Sequence, residues 1–239
     1  MLQERLLQIL ERKNHWAWPW FAEGRVPLPR LLPHFQQEWE VYVRDFPIFL
    51  ARILGHRPPA AVAADLSANI YEEQTGGISG SASHPELFLR MMAGCGYSRG
   101  DFVSLQLLPG ARAYRDFLDQ VSWGTPWVVG AAVLTLFVEG SVNERAELAA
   151  LEKAPLSYLE IEEQILRHPL VRIHKVDPQF LELQRVHKKV EGGHRRDAWE
   201  AVLGNAQGHE EAVERALQKA LELWLAYRDD VAQACGITR

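Results

Sequence analysis

His187, Glu191 and His194 stand at i, i+4 and i+7 of a strongly helical stretch. At roughly 100° of turn per residue they span about 60° of one helix face. Two imidazoles and a carboxylate on one face make the ligand set that suits a non-haem iron site. Upstream, Glu72, His84 and Glu139 add one more His and two more carboxylates, on segments that also read as helices. Three His and three carboxylates would fill two iron sites and leave coordination positions open for oxygen. The chemistry these residue types suggest is iron-dependent oxidation.

Each position also has a plainer reading. Lys188, Lys189, Arg195 and Arg196 surround the His-Glu-His set and face water, as on any solvated helix. Leu183 and Trp199 lie on the ligand face, however, and turn it partly inward. A buried His or Glu without a partner is costly, and a metal supplies the partner. Gly192-Gly193 interrupts this helix. Each glycine costs about 1 kcal/mol relative to Ala, so the pair is expected to serve close packing or a local bulge of the kind found at functional sites. Glu139 ends the apolar run VVGAAVLTLFVE. It is either a helix-end residue reaching solvent or a buried ligand, and Gly140 directly after it keeps the first option open. Glu72-Glu73 closes one helix and His84 begins the next. A Glu pair there is ordinarily solvated and a His there is often a cap; of the two carboxylates Glu72 is favoured as a ligand over Glu73.

The elements that must position these residues are nearly all helical. Leu2, Leu6, Leu7, Ile9 and Leu10 recur at helical spacing over residues 2–12, and an aromatic turn, His15 to Trp20, follows. A second helical pattern runs from His34 to about Leu54, with Trp39, Tyr42, Phe46 and Ile53 in its core stripe. Pro47 should kink or divide it. Pro58-Pro59 opens a helix to about Gln74, ended by Thr75-Gly76-Gly77. A Gly/Ser-rich loop leads to Ser83, a candidate N-cap, and Pro85 fits the first turn of the next helix. A further helix extends to about Val121, with a break at Pro109-Gly110. Thr125-Pro126 starts a segment that is apolar nearly all round up to Glu139, which argues for a central buried helix. Two amphipathic helices are expected over 143–153 and 155–167, a ligand-bearing helix from Asp177-Pro178 to about Leu203, and a last helix from about His209 to Val231. No strand alternation, repeat or linker is evident. The expected architecture is one all-α domain, residues 1–239, built as a helical bundle.

Composition narrows the function class. The 239 residues carry a net charge of −5. Nucleic-acid binding needs a clustered basic surface, and none is present. Cys95 and Cys235 are far apart and in no metal spacing, which favours a reducing compartment. The N-terminus has no apolar signal core, and the run from Pro126 to Val138 is too short to span a bilayer. A soluble cytoplasmic protein with neither membrane nor nucleic-acid partners is expected.

The segment NIYEEQTGGISGSASHPELFLRMMAGCGYS, Asn69 to Ser98, resembles a family pattern of Asn, a Glu pair, then His-Pro-Glu-Leu-Phe and a Gly-containing helix end. Glu139 ends a small-residue apolar helix, as that family's central carboxylate does. His187-x3-Glu191-x2-His194 resembles its final His-x3-Asp-x2-His motif, and Phe21 to Leu54 resembles its opening helices. The family is that of the haem-oxygenase-like di-iron oxidases. It is related to the TenA thiaminases, pyrroloquinoline-quinone synthase and the chlamydial protein associating with death domains.

The resemblance covers about residue 15 to the end. It implies that Glu72, His84 and Glu139 hold one non-haem iron and His187, Glu191 and His194 the other. It further implies that O2 is activated to oxidise a small substrate resembling an amino acid or a fatty acid. Homodimers are common in this fold. Three departures stand out: Glu191 replaces the usual Asp, the loop between Glu72 and His84 is longer than usual, and extra sequence containing His168 and His174 precedes His187. A ferritin-like bundle would need two Glu-x-x-His motifs, and Glu191 to His194 is the one present. Two other functions remain open: a metal-free enzyme of thiaminase or quinone-synthase type on the same fold, and a non-catalytic helical binding protein.

Overall fold

The computed structural model describes residues 1–150 and 156–239, apart from the side chains of 190–194. Helices follow one another through the described residues, which contain no strand. The first half comprises α1 (Leu2–Glu11), α2 (Trp18–Ala22), α3 (Leu32–Glu38), α4 (Phe46–Gly55), α5 (Ala60–Thr75), α6 (His84–Gly94) and α7 (Pro109–Gly124). The second half comprises α8 (Trp127–Ala131), α9 (Glu144–Ala150), α10 (Tyr158–Arg167), α11 (Pro169–Arg172), α12 (Glu182–Asn205) and α13 (Glu210–Ala234). The part of the two amphipathic helices expected across 151–155 lies outside the described residues. Among the described residues no helix is long and apolar enough to cross a membrane.

Proline and glycine set most boundaries as the pattern implies. Pro47 takes the first turn of α4, so the helical pattern from His34 to Leu54 divides at Arg44-Asp45. There its missing N–H costs nothing. Pro109 starts α7, and the residues before it form only a single turn at Arg99–Phe102 and irregular chain. The Asp177 side chain accepts from the Gln179 N–H at 2.9 Å and caps a short turn, Pro178–Leu181, that leads into α12.

Two stretches depart from α-geometry. The chain widens into π-helical turns at Trp39–Val43, continuing α3, and at Ala132–Val138, continuing α8. Such turns are rare overall and frequent at functional sites. A hydrophobic pattern does not separate a 3.6-residue period from a locally wider one over a single turn. α12 continues as helix through Gly192-Gly193; the close packing or local bulge expected there lies outside the described residues.

The core lies where α13 packs along α7, with α1, α3 and the widened end of α8 against its other faces. Phe49, Leu50, Tyr114, Leu134, Phe137 and Tyr227 are all buried there. Every residue from Val128 to Phe137 is buried, in line with the central helix expected from its composition. α12 closes over α5, α6 and α8 and brings His187 to the inside. The N-terminal aromatic turn is anchored on α13, where Trp16 Nε1 donates to Asp229 at 2.6 Å.

Candidate metal centre

The Glu pair at the end of α5 is buried, and its two carboxylates diverge. Neighbouring residues on a helix point about 100° apart. Glu72, with no exposed surface, turns towards the loop: its Oε2 accepts the N–H groups of Ile78 and Ser79 at 2.8 and 3.0 Å. Its Oε1 lies 3.4 Å from His84 Nε2. Burial pushes the Glu72 carboxyl up, but the bonds from Ser79 and Ile78 outweigh it and hold the group below its ordinary range. Glu73 turns the other way, and its Oε1 is 2.8 Å from His84 Nδ1.

The loop between the two helices places His84. Gly76 ends α5 with φ +64°, and its N–H bonds back to the Glu72 carbonyl at 2.7 Å. A Cβ at Gly76 would sit 2.4 Å from the Ala82 carbonyl oxygen, so only glycine lets the loop close on itself. Ser83 is the N-cap of α6 by position, although its side chain makes no capping bond. His84 is the first residue of α6 and is buried. Burial lowers the imidazole, yet Glu73 and Glu72 together raise it above its ordinary value.

His187 on α12 completes the cluster. Its Nε2 is 3.3 Å from His84 Nδ1, and the two rings lie 5.0 Å apart between centroids. One ligand atom each from Glu73, His84 and His187 falls within 4.8 Å of the others. His84 Nδ1 thus faces a carboxylate oxygen and a second imidazole nitrogen at once. A single Nδ1 proton serves one of them; a cation serves all three lone pairs. A carboxylate and two imidazoles suit ferrous iron. With Nδ1 turned to an ion, Nε2 carries the proton and donates to Glu72, the carboxylate–histidine arrangement that orients metal ligands.

The structure therefore brings together a different set from the one expected on sequence. Glu73, not Glu72, shares the cluster with His84, because Glu72 is occupied by the loop. His84 and His187, assigned to separate irons by the resemblance, meet each other. Glu139 follows the widened end of α8 and is exposed, yet it lines the same cavity as Glu73, His84 and His187. The side chains of Glu191 and His194 lie outside the described residues. His168 caps α11, its Nδ1 accepting from the Leu170 N–H at 3.2 Å, and so has a local structural role.

The cavity has a volume of about 240 Å³. Tyr42, Val43, Phe46, Val138 and Leu183 form much of its wall, and Glu144 and Arg195 are also at its lining. Tyr42, Val43 and Val138 all come from the π-helical turns, which sequence periodicity did not reveal. Trp39 stacks on Phe88, with 5.7 Å between ring centroids, and belongs to the core stripe. Neither cysteine lines the cavity, and burial pushes the Cys95 thiol up to about 12 and Cys235 to about 11. Such thiols are poor nucleophiles.

A second, partly buried polar cluster lies behind Tyr42. Its hydroxyl donates to Glu38 Oε1 at 3.0 Å, and Arg228 Nη2 donates to the same oxygen at 2.9 Å. Arg228 Nη1 approaches His34 Nδ1 at 3.4 Å, and its guanidinium lies 4.6 Å from the Trp18 ring centroid. Burial is the main reason the His34 pKa falls from 6.5 to about 4; Glu38 opposes it and Arg228 adds to it. Between these values the unfolded chain binds a proton that the folded protein refuses. His34 is therefore neutral in its contribution above pH 6.5 and costs stability as pH falls through the window, by up to about 3 kcal/mol at its lower end. Urea unfolding at pH 7 and pH 4.5 should show a smaller acid loss for His34→Gln than for the unaltered protein. Equal losses would rule His34 out as the source.

The helical scaffold encloses a carboxylate–imidazole cluster with the geometry to hold a metal ion. Residues 33–228 match the family model described as iron-containing redox enzyme, and the chain belongs to that family. Its fold is similar to the crystal structure of a TenA homolog from Pseudomonas syringae pv. tomato str. DC3000. The TM-score is 0.71 at 13% identity, over 98% of this chain and 93% of that one. That likeness establishes the all-α, haem-oxygenase-like fold. No curated protein matches the sequence.

Proposed function

We propose that this protein holds ferrous iron at Glu73, His84 and His187 and oxidises a small organic substrate with O2. The observation that carries the reading is the convergence of three ligand atoms within 4.8 Å at the wall of a substrate-sized cavity. Ferrous iron would supply the electrons that reduce dioxygen. Glu72 keeps His84 in the tautomer that turns Nδ1 inward. Glu139, in the same cavity, is proposed as a further ligand. Glu191 and His194, further along α12, are proposed on their sequence alone as ligands of a second iron. Val43, Phe46, Val138 and Leu183 exclude water and suit the aliphatic part of an amino-acid- or fatty-acid-like substrate.

Anaerobic loading with ferrous iron, followed by metal analysis and O2 uptake, tests this. About two irons per chain are expected if both sites fill, and about one if the described cluster acts alone. The thiaminase-like alternative on this fold uses protein acid–base groups without iron. Turnover by iron-free protein, unaffected by a chelator, would replace the oxidase reading with that one.

A further inference from the structure

We propose that Lys13 is a positioning residue that aims Glu139 into the cavity; this rests on the reading of Glu139 as a ligand. Lys13 follows α1 and lies outside the segment 33–228 matched by the family model. It is buried, with 6% of its surface exposed. Its Nζ donates to the Phe137 carbonyl at 2.6 Å and to the Gly140 carbonyl. These carbonyls flank Glu139 on both sides.

A helix end leaves its last carbonyls without partners inside the helix. Phe137 is buried and Gly140 partly buried, so their carbonyls are shielded from water and need a donor. Lys13 reaches them from another part of the chain and binds the turn at two points around one residue. The same ammonium lies 4.7 Å from the Phe137 ring centroid, which further ties it to this helix. The turn has little freedom to relax by itself. A Cβ at Gly140 would stand 2.1 Å from the Leu136 carbonyl oxygen and 3.1 Å from Glu144 Oε2. Glu144, itself buried, accepts the Ser141 N–H at 3.1 Å and the Trp199 indole N–H at 2.9 Å. Lys13 and Glu144 thus clamp carbonyls and an amide of residues 137–141. The direction of the Glu139 side chain follows from the backbone they hold.

The test uses the full chain and the Lys13→Met variant, which keeps an apolar stem and removes the donors. Glu139→Gln and the double variant accompany it. Amide hydrogen exchange on iron-free protein reports the turn directly: residues 140–142 should exchange at least about tenfold faster in Lys13→Met. Ferrous-iron affinity should fall about 10- to 100-fold, as in Glu139→Gln, and the double variant should be no worse than the weaker single. Unchanged exchange, unchanged affinity, or losses that add in the double variant would overturn the proposal. If the unaltered protein takes up no iron, the oxidase reading fails instead, and exchange alone then decides whether Lys13 holds the turn. Should Lys13→Met not fold, Lys13→Gln, which shortens the side chain and replaces the amine by an amide, carries the same comparison.

Discussion

His84→Ala should abolish iron retention, lowering affinity by more than about 100-fold, beyond the range of outer ligand partners. His84 is the hinge of the cluster, since Glu73 and His187 both lie within hydrogen-bond reach of its Nδ1. Its removal leaves two donors from separate helices and opens a hole at the first turn of α6. Glu72→Gln makes the sharper comparison. The amide keeps an oxygen for the Ile78 and Ser79 N–H groups but puts an NH2 donor where Glu72 Oε1 faced His84 Nε2. An intermediate loss of about 10- to 100-fold is expected there, whereas Glu73→Gln should approach the His84→Ala result. Metal titrations of the three variants check the order. A Glu72→Gln protein as impaired as Glu73→Gln would make Glu72 a direct ligand after all.

The second large effect is on stability. Arg228→Met should destabilise the protein by about 3–5 kcal/mol, because it strands the largely enclosed Glu38 carboxylate, 18% exposed, without its cation. Burial pushes Glu38 up, and His34 and Arg228 together hold it below its ordinary value. At this chain length such a loss corresponds to a fall in Tm of roughly 6–20 °C. The double variant Arg228→Met, Glu38→Leu should recover part of it, since an apolar pair of similar volume removes the stranded charge. Calorimetry of the single and double variants decides the matter. If the double variant is the less stable, the cluster contributes through packing of Arg228 on Trp18 and on Trp224, whose ring centroid lies 5.4 Å from the guanidinium, instead of through charge pairing. Tyr42 connects this cluster to the cavity wall, so the single variant should also disturb the site.

Much of the scaffold was legible in the sequence because its signals are local. Pro47, Pro109 and Gly76 act through their own φ angles and missing groups, and the apolar periodicity of α1, α4 and α13 acts through one helix face at a time. The same reading singled out His84, His187 and Glu139, which line one cavity, His84 buried and Glu139 exposed. Which partners they meet was not local. Glu72 and Glu73 are adjacent in sequence and alike in type; a loop of backbone N–H groups claims one, and the imidazole of another helix claims the other. The meeting of His84 with His187 depends on how α12 lies across α6. The cavity wall arises where α3 and α8 widen into π-turns, and the hold of Lys13 on residues 137–140 joins segments more than a hundred residues apart. Residue types and their spacing along each helix set the available chemistry. The packing of the helices decided which atoms share it, because distance in space, not along the chain, governs hydrogen bonds and ligation.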